Sequence, residues 1–247
     1  MPIFLLLATI LCLESGRRLR SKYPVGEAGV LESCLFALLG LLLALTFNGA
    51  ADRFERRRAL IVEEANCIGS AYLRIDLLPK TAQPALRKQF LAYVDARIEF
   101  YRQVAVGGNS EAVWQQIGRL QGELWTGLIG AVAEQRDPVT AATIPAFNEM
   151  FDIAATRKAA FQMHPPAIIY GLLVGVSLIC SALAGYSIGQ HSRLHNLCFA
   201  LVLAVTFFVI VDLEHPRQGW IRIDSYDQIL VDARDGIRQS MTLPPTP

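Results

Sequence analysis

The chain has 247 residues, 53% hydrophobic and only 18% charged, and its 23 Lys and Arg against 22 Asp and Glu leave a net charge of +1. An ordinary soluble domain carries about 25% charged residues. Few charges and a mean hydropathy of +0.34 therefore argue against disorder, a nucleic-acid binder and a typical cytosolic enzyme, and favour a membrane protein.

The distribution of charge along the chain says more than the mean. Residues 2–13 are apolar but short for a full span. They lack the basic leader and small-residue cleavage site of a signal peptide. They continue into Glu14-Ser15-Gly16 and a group of arginines that can snorkel to the interface. This segment is expected to be a first span, with a tilted or interfacial helix as the other reading. No Lys, Arg, Asp or Glu occurs in 33–51, 159–192 or 194–211. A transmembrane helix needs about 20 mainly apolar residues to cross about 30 Å of hydrocarbon, so 34–51, 166–189 and 194–211 read as three more.

Between the spans the composition changes. Residues 52–158 hold 27 charged residues in 107, close to a soluble domain. The expected object is all-α: a membrane hairpin at 2–51, a helical extramembrane domain at 52–164, a second hairpin at 165–211, and a C-terminal interfacial segment and tail at 212–247. With four spans, the polar domain and both termini share one side. Arg53, Arg56, Arg57, Arg58, Arg157, Lys158, Arg217 and Arg222 flank the membrane there, against Arg17, Arg18, Arg20, Lys22 and Arg193 opposite. Eight against five favours the cytoplasm for the domain. The five cysteines show no C-x-x-C spacing, so neither a disulfide framework nor a zinc site is suggested.

Within the polar section the apolar spacing is helical. Phe47, Phe54, Ile61, Ala65, Ile68, Tyr72 and Ile75 form one stripe. It predicts that the second span continues as a helix of about 45 residues, to a stop at Leu77-Leu78-Pro79. A second helix is expected from Pro84, with Leu86, Phe90, Val94, Arg97, Ile98 and Tyr101 on its packed side, and a break at Gly107-Gly108-Asn109. Ser110 is a suitable N-cap for a third. A fourth carries Ile144, Phe147, Phe151 and Ala154 and leads through His164-Pro165-Pro166 into the third span. Residues 242–247 are Pro-rich and expected to be unstructured.

Few residues suggest chemistry. Glu63, Asn66, Ser70 and Arg74 make a polar stripe beside the apolar one, and Glu64 shares a face with Ile68. This is either a solvated helix face or a wet vestibule. Asp212, Glu214 and His215 close the last span, on the same side as His164; a site there competes with simple interfacial anchoring beside Trp220. His191 and His195 have the i, i+4 spacing of two metal ligands, but no carboxylate or thiol stands beside them. No nucleotide-binding loop, G-x-S-x-G, H-E-x-x-H or Ser/His/Asp set occurs. No enzyme activity, metal or cofactor is expected.

The run Glu64-Ala65-Asn66-x-Ile68-Gly69-x-Ala71-Tyr72-Leu73-Arg74, followed by Asp76-Leu77-Leu78-Pro79, resembles the signature of the bacterial bestrophin-like domain proteins. Tyr93 and Arg97 fit its next helix. Asp212-Leu213-Glu214-His215-Pro216-Arg217-x-Gly219-x-Ile221-Arg222 resembles its closing motif. More distantly, true bestrophins are pentameric chloride channels with four membrane helices and a cytosolic helical domain. The resemblance implies a similar layout, a bacterial inner-membrane location and a homo-oligomer in the lipid bilayer. No counterpart of the bestrophin calcium-binding acidic cluster is found, so calcium gating is not carried over.

The expected function is thus an oligomeric ion channel. The excess of Arg over Lys, 19 to 4, points to inorganic anions. Second spans gathered around an axis would offer Phe36, Leu39, Leu43 and Phe47 as apolar constrictions, with Glu63, Glu64, Asn66 and Arg74 in a vestibule. The alternative is a non-conducting membrane scaffold or sensor whose helical domain binds a partner. A redox or metal protein built on the histidines is a third.

Overall fold

The computed structural model describes residues 2–23, 29–188, 193–217 and 219–242, and among these every regular element is helical. In chain order the helices are α1 Pro2–Lys22, α2 Val30–Arg74, α3 Gln83–Val106, α4 Ser110–Glu134, the four-residue α5 Pro138–Ala141, α6 Thr143–Gln162, α7 Ala167–Ile188, α8 Arg193–Glu214 and α9 Gln228–Thr242. They fall into two units. One comprises Met1–Phe54 with His164–His215, the other Glu55–Met163 with Pro216–Pro247. Helix α2, at 45 residues, belongs to the first as far as Phe54 and to the second from Glu55.

The first unit is built from α1, the start of α2, α7 and α8. Among the described residues three stretches are long and apolar enough to cross a membrane: Val30–Leu77, Pro138–Ser187 and Leu194–Glu214. The composition led us to expect four. Helix α1 falls outside this group because its apolar run ends at Leu13 and its last turns carry Glu14, Arg17, Arg18, Arg20 and Lys22. It nevertheless packs on α7 and α8, burying Leu13 with Ala184 and Ala200. Two glycines set that packing. A Cβ added at Gly16 would collide with the Ala182 carbonyl, and one at Gly185 with the Leu13 carbonyl. Small residues that let backbones touch are the usual means of joining helices where no water drives them together.

Polar contacts fix the two ends of this unit. At one end Arg20 donates to the carbonyls of Tyr186, at 3.0 Å, and of Ser187, closing the last turn of α7. There the Ser187 hydroxyl also donates to Glu32, near the start of α2, at 2.5 Å. At the other end Arg53 of α2 meets Glu214, the last residue of α8.

The second unit has one core. Ile68 and Ile75 of α2, Leu86 and Phe90 of α3, Leu124 and Leu128 of α4 and Phe147 and Met150 of α6 share it. Helix α3 ends on Gly107, whose φ of 67° is the left-handed cap that glycine adopts without strain. Asn109, rather than Ser110, caps α4: its side chain accepts from the Ala112 amide at 3.1 Å. Asp137 caps α5 in the same way through Thr140, and Pro138 fills the first helical position.

The C-terminal segment is more than an interfacial tail. From Pro216 onward it belongs to the second unit, and α9 lays Leu230 and Ile237 into the core. Residues 243–247 lie outside the described residues, as does His191, so the paired-histidine spacing is not described either.

Candidate functional site

Helix α2 has two clean faces. On the inward face Phe36 meets Phe199 edge-on at 6.2 Å, Leu39 is 3% exposed, Leu43 is half-buried, and Ala50, Phe54, Ile61, Ile68 and Ile75 follow at helical spacing, all buried. Phe36, Leu39 and Leu43 are therefore turned into their own unit. Packing within one chain claims the positions that the sequence offered as constrictions, and Phe47, 43% exposed, lies at the margin. The opposite face is bare from end to end. Leu41, Leu45, Asn48, Asp52, Glu55, Ala59, Glu63, Asn66, Ser70 and Leu73 are all exposed, and steps of 3 or 4 residues keep them in one row. Of the four vestibule candidates, Glu63 and Asn66 lie in this row, Arg74 is half-buried and Glu64 is fully buried.

Glu64 is the centre of an ion network in the second unit. Its carboxylate accepts from Arg97 of α3 at 2.6 Å, from Arg157 of α6 at 2.6 Å and from the Tyr101 hydroxyl at 3.1 Å. Arg157 continues to Asp227 at 2.6 Å. Asp227 also pairs with Arg217 at 2.7 Å, and Arg217 with Asp224 at 3.0 Å. Aromatic rings pack on the guanidiniums: Arg157 lies 3.6 Å and Arg217 5.0 Å from the centre of the Tyr101 ring. Burial alone would raise the Glu64 pKa, but Arg97 and Arg157 outweigh it and hold the carboxyl at about 2. Burial also pushes the Tyr93 phenol up to about 12. These groups are locked in fixed charge states, which suits a structural clamp and not proton transfer.

The motif residues take comparable places. Arg87 ties Asp76 to the Tyr72 hydroxyl, and that hydroxyl also meets Ser240 at 2.7 Å. Pro79 accepts from the Ala82 amide in the turn that starts α3. The Pro216 carbonyl accepts from Ile223, closing a loop that aims buried Arg217 at its two aspartates. Gly69 has no neighbouring atoms near its missing Cβ, and Gly219 is half-exposed. Arg57, read from sequence as part of a basic band, is buried and donates to the Ala160 and Met163 carbonyls at the end of α6.

A second polar cluster ends the first unit. Glu214, 1% exposed, accepts from Arg53 Nε at 2.7 Å. His164 Nδ1 stands 3.7 Å from the same carboxylate, and the His164 ring stacks on His215 at 5.3 Å. Asp212 is buried nearby in sequence. His164, expected on the same side as Glu214 and His215, contacts both, with Arg53 as a partner the sequence did not suggest. Among the described residues no group of three or more His, Cys, Asp or Glu is arranged to hold a metal.

Arg157 was read from sequence only as a cation flanking the membrane, and Asp224 and Asp227 were not singled out. Arg157 had a signal: it follows Phe147, Met150 and Ala154 at helical spacing, so it sits on the buried side of α6. The aspartates lie in a short irregular turn and had none.

A family model for the bestrophin-like domain matches residues 4–226. The solved structures include close matches in fold. A bacterial bestrophin homolog from Klebsiella pneumoniae superimposes with a TM-score of 0.74 at 12% identity, over 99% of this chain and 100% of that one. A point mutant of a bacterial bestrophin homolog from Klebsiella pneumoniae gives 0.74 at 10% identity, over 96% and 99%. A point mutant described as a membrane protein gives 0.76 at 11% identity, over 98% and 99%. No curated protein matches the chain.

Proposed function

Because the chain belongs to the bestrophin-like domain family, we propose that it forms a homo-oligomeric ion channel in the bacterial inner membrane, with α2 of each copy turned to a shared axis. The bare face of α2 carries this reading. A helix buried in one subunit has no such face, and a face left unpartnered along the whole helix is one that further copies of the chain can cover. Here Leu41 and Leu45 give a dry stretch, and Asn48, Asp52, Glu55, Glu63 and Asn66 follow it on the same row. Apolar constrictions leading to polar rings are how channels gate and select.

Helix α1 serves as a fourth span. Its 21 residues extend about 31 Å at 1.5 Å per residue; the apolar run to Leu13 covers only part of about 30 Å of hydrocarbon, and Arg17, Arg18, Arg20 and Lys22 complete the span by snorkelling to the interface. With four spans the second unit and both termini lie in the cytoplasm, on the side richer in Arg and Lys.

The permeant ions on this reading are cations. The Arg excess suggested anions, but Arg57, Arg97, Arg157 and Arg217 are buried and Arg53 is engaged with Glu214. The exposed row instead carries Asp52, Glu55 and Glu63, and carboxylate rings favour cations.

The test is flux through liposomes containing purified protein, in a background with the five cysteines replaced. Potassium should pass more readily than chloride. A charged thiol reagent should abolish most flux through Leu45→Cys and spare Leu39→Cys. Vesicles tight to potassium and chloride alike would replace the channel by the scaffold or sensor reading.

A further inference from the structure

We propose that the cleft between α1 and α7, at the end marked by Tyr23 and Tyr186, binds one anionic glycerophospholipid. Its acyl chain lies in the cleft and its phosphate meets Arg18 and Lys22. The inference requires only that α1 lies in the bilayer, and not that the protein conducts.

The cleft follows from the glycine contact. Gly16 and Gly185 bring the two helices together so closely that a Cβ on either would strike the opposite backbone. Just past that contact Ser15, Gly16 and Ala182 leave a space of about 600 Å³, walled by Leu19, Leu183 and the two tyrosines. Leu19 and Tyr23 are 53% and 57% exposed, so the cleft opens sideways, where an acyl chain can enter. The Tyr186 hydroxyl donates to the Tyr23 carbonyl at 2.8 Å and closes its end. Tyrosines are a usual marker of the headgroup boundary, and these two close the cleft at the end of α1 that carries the cations.

The charge beside the cleft is uneven, and that identifies the ligand. Four cations crowd the last two turns of α1. Arg17 is held by Glu14 at 2.7 Å, and Arg20 is used by the Tyr186 and Ser187 carbonyls. Arg18 is different: its side chain is 80% exposed and reaches Glu14 only at 3.3 Å. Lys22 is exposed as well. Arg18 and Lys22 stand three residues beyond Ser15 and Leu19, which places both on the open flank of the cleft. One carboxylate among four cations leaves this end of α1 with net positive charge directly above an apolar slot. A zwitterionic lipid would fill the slot but leave that charge unanswered; an anionic headgroup answers both.

Full-length protein in nanodiscs of phosphatidylcholine doped with phosphatidylglycerol, released into native mass spectrometry, counts the lipids retained on each chain. One phosphatidylglycerol per chain should persist, favoured over phosphatidylcholine by about ten-fold or more. Arg18→Gln with Lys22→Gln, both at exposed positions, should bring the two lipids near parity. Leu19→Trp, which fills the slot and keeps the cations, should displace the retained lipid. Equal retention of both lipids by the unaltered protein, or an undiminished preference in the double variant, would overturn the proposal.

Discussion

Glu64 binds two guanidiniums at once, and this sets the cost of losing it. In Glu64→Gln the side chain keeps its shape, but Arg97 and Arg157 remain buried with no carboxylate between them. Breaking a buried ion pair by removing one partner costs about 3–5 kcal/mol. That loss should appear in thermal or denaturant unfolding of the purified protein followed by circular dichroism; a loss under about 1 kcal/mol would show that the network is not the clamp described. The same residue gives a pH dependence. Its carboxyl is held at about 2, below the ordinary 4.5, so the unfolded chain takes up the proton first. The stabilisation is complete above about pH 4.5 and falls as pH drops from there toward 2. Unfolding of the natural protein should therefore become steeply acid-sensitive in that window, and Glu64→Gln should flatten the curve. The sequence showed Glu64 and Arg97 through motif and spacing. It could not show that a turn after the membrane bundle delivers Asp227 to Arg157, because such a contact obeys no local period.

At the scale of elements, periodicity revealed α2 and its length of 45 residues, with its ends a few residues from those expected, but not which way its apolar stripe faces. A stripe at helical spacing looks the same whether it packs inside one chain or lines an axis, and near Phe36, Leu39 and Leu43 both faces of the helix are apolar. Only the contacts of Phe36 with Phe199 and the burial of Leu39 separate them. Helix α9 was hidden for the opposite reason. Its inward residues Leu230 and Ile237 stand seven apart among charges, too few to outweigh a polar composition. The α1–α7 contact is open to test by a single substitution. In Gly185→Leu the new side chain meets the Leu13 backbone, which cannot move aside as a side chain can. Helix α1 should lose its seat, and trypsin should cut at Arg17, Arg18, Arg20 or Lys22 several-fold faster than in the natural protein. Gly171→Leu, where no atom lies near the missing Cβ, should leave the digestion unchanged.

At the scale of the molecule, the mean hydropathy concealed two compositions, and the division into two units at Phe54, Met163 and His215 follows the change between them. The span count is harder to read because α1 mixes both kinds: an apolar first half that a bilayer would accept, and a last two turns with five charges in nine residues. Length and composition alone exclude it, whereas its packing on α7 and α8 supports including it. The two counts differ in a measurable way. If α1 crosses, Ile3 and Tyr23 lie on opposite sides of the membrane, and Ile3 shares the side of Val106; if α1 lies in the interface, Ile3 stays on the side of Tyr23, because α2 alone separates Tyr23 from the second unit. All three positions are exposed, at 73%, 57% and 72%, so cysteines there are reachable. In intact cells carrying the protein without its five native cysteines, a membrane-impermeant maleimide should label Tyr23→Cys directly, and Ile3→Cys and Val106→Cys only after the inner membrane is opened. Direct labelling of Ile3→Cys together with Tyr23→Cys would remove the fourth span, while direct labelling of Val106→Cys with Tyr23→Cys protected would invert the proposed orientation and with it the cytoplasmic placement of the second unit.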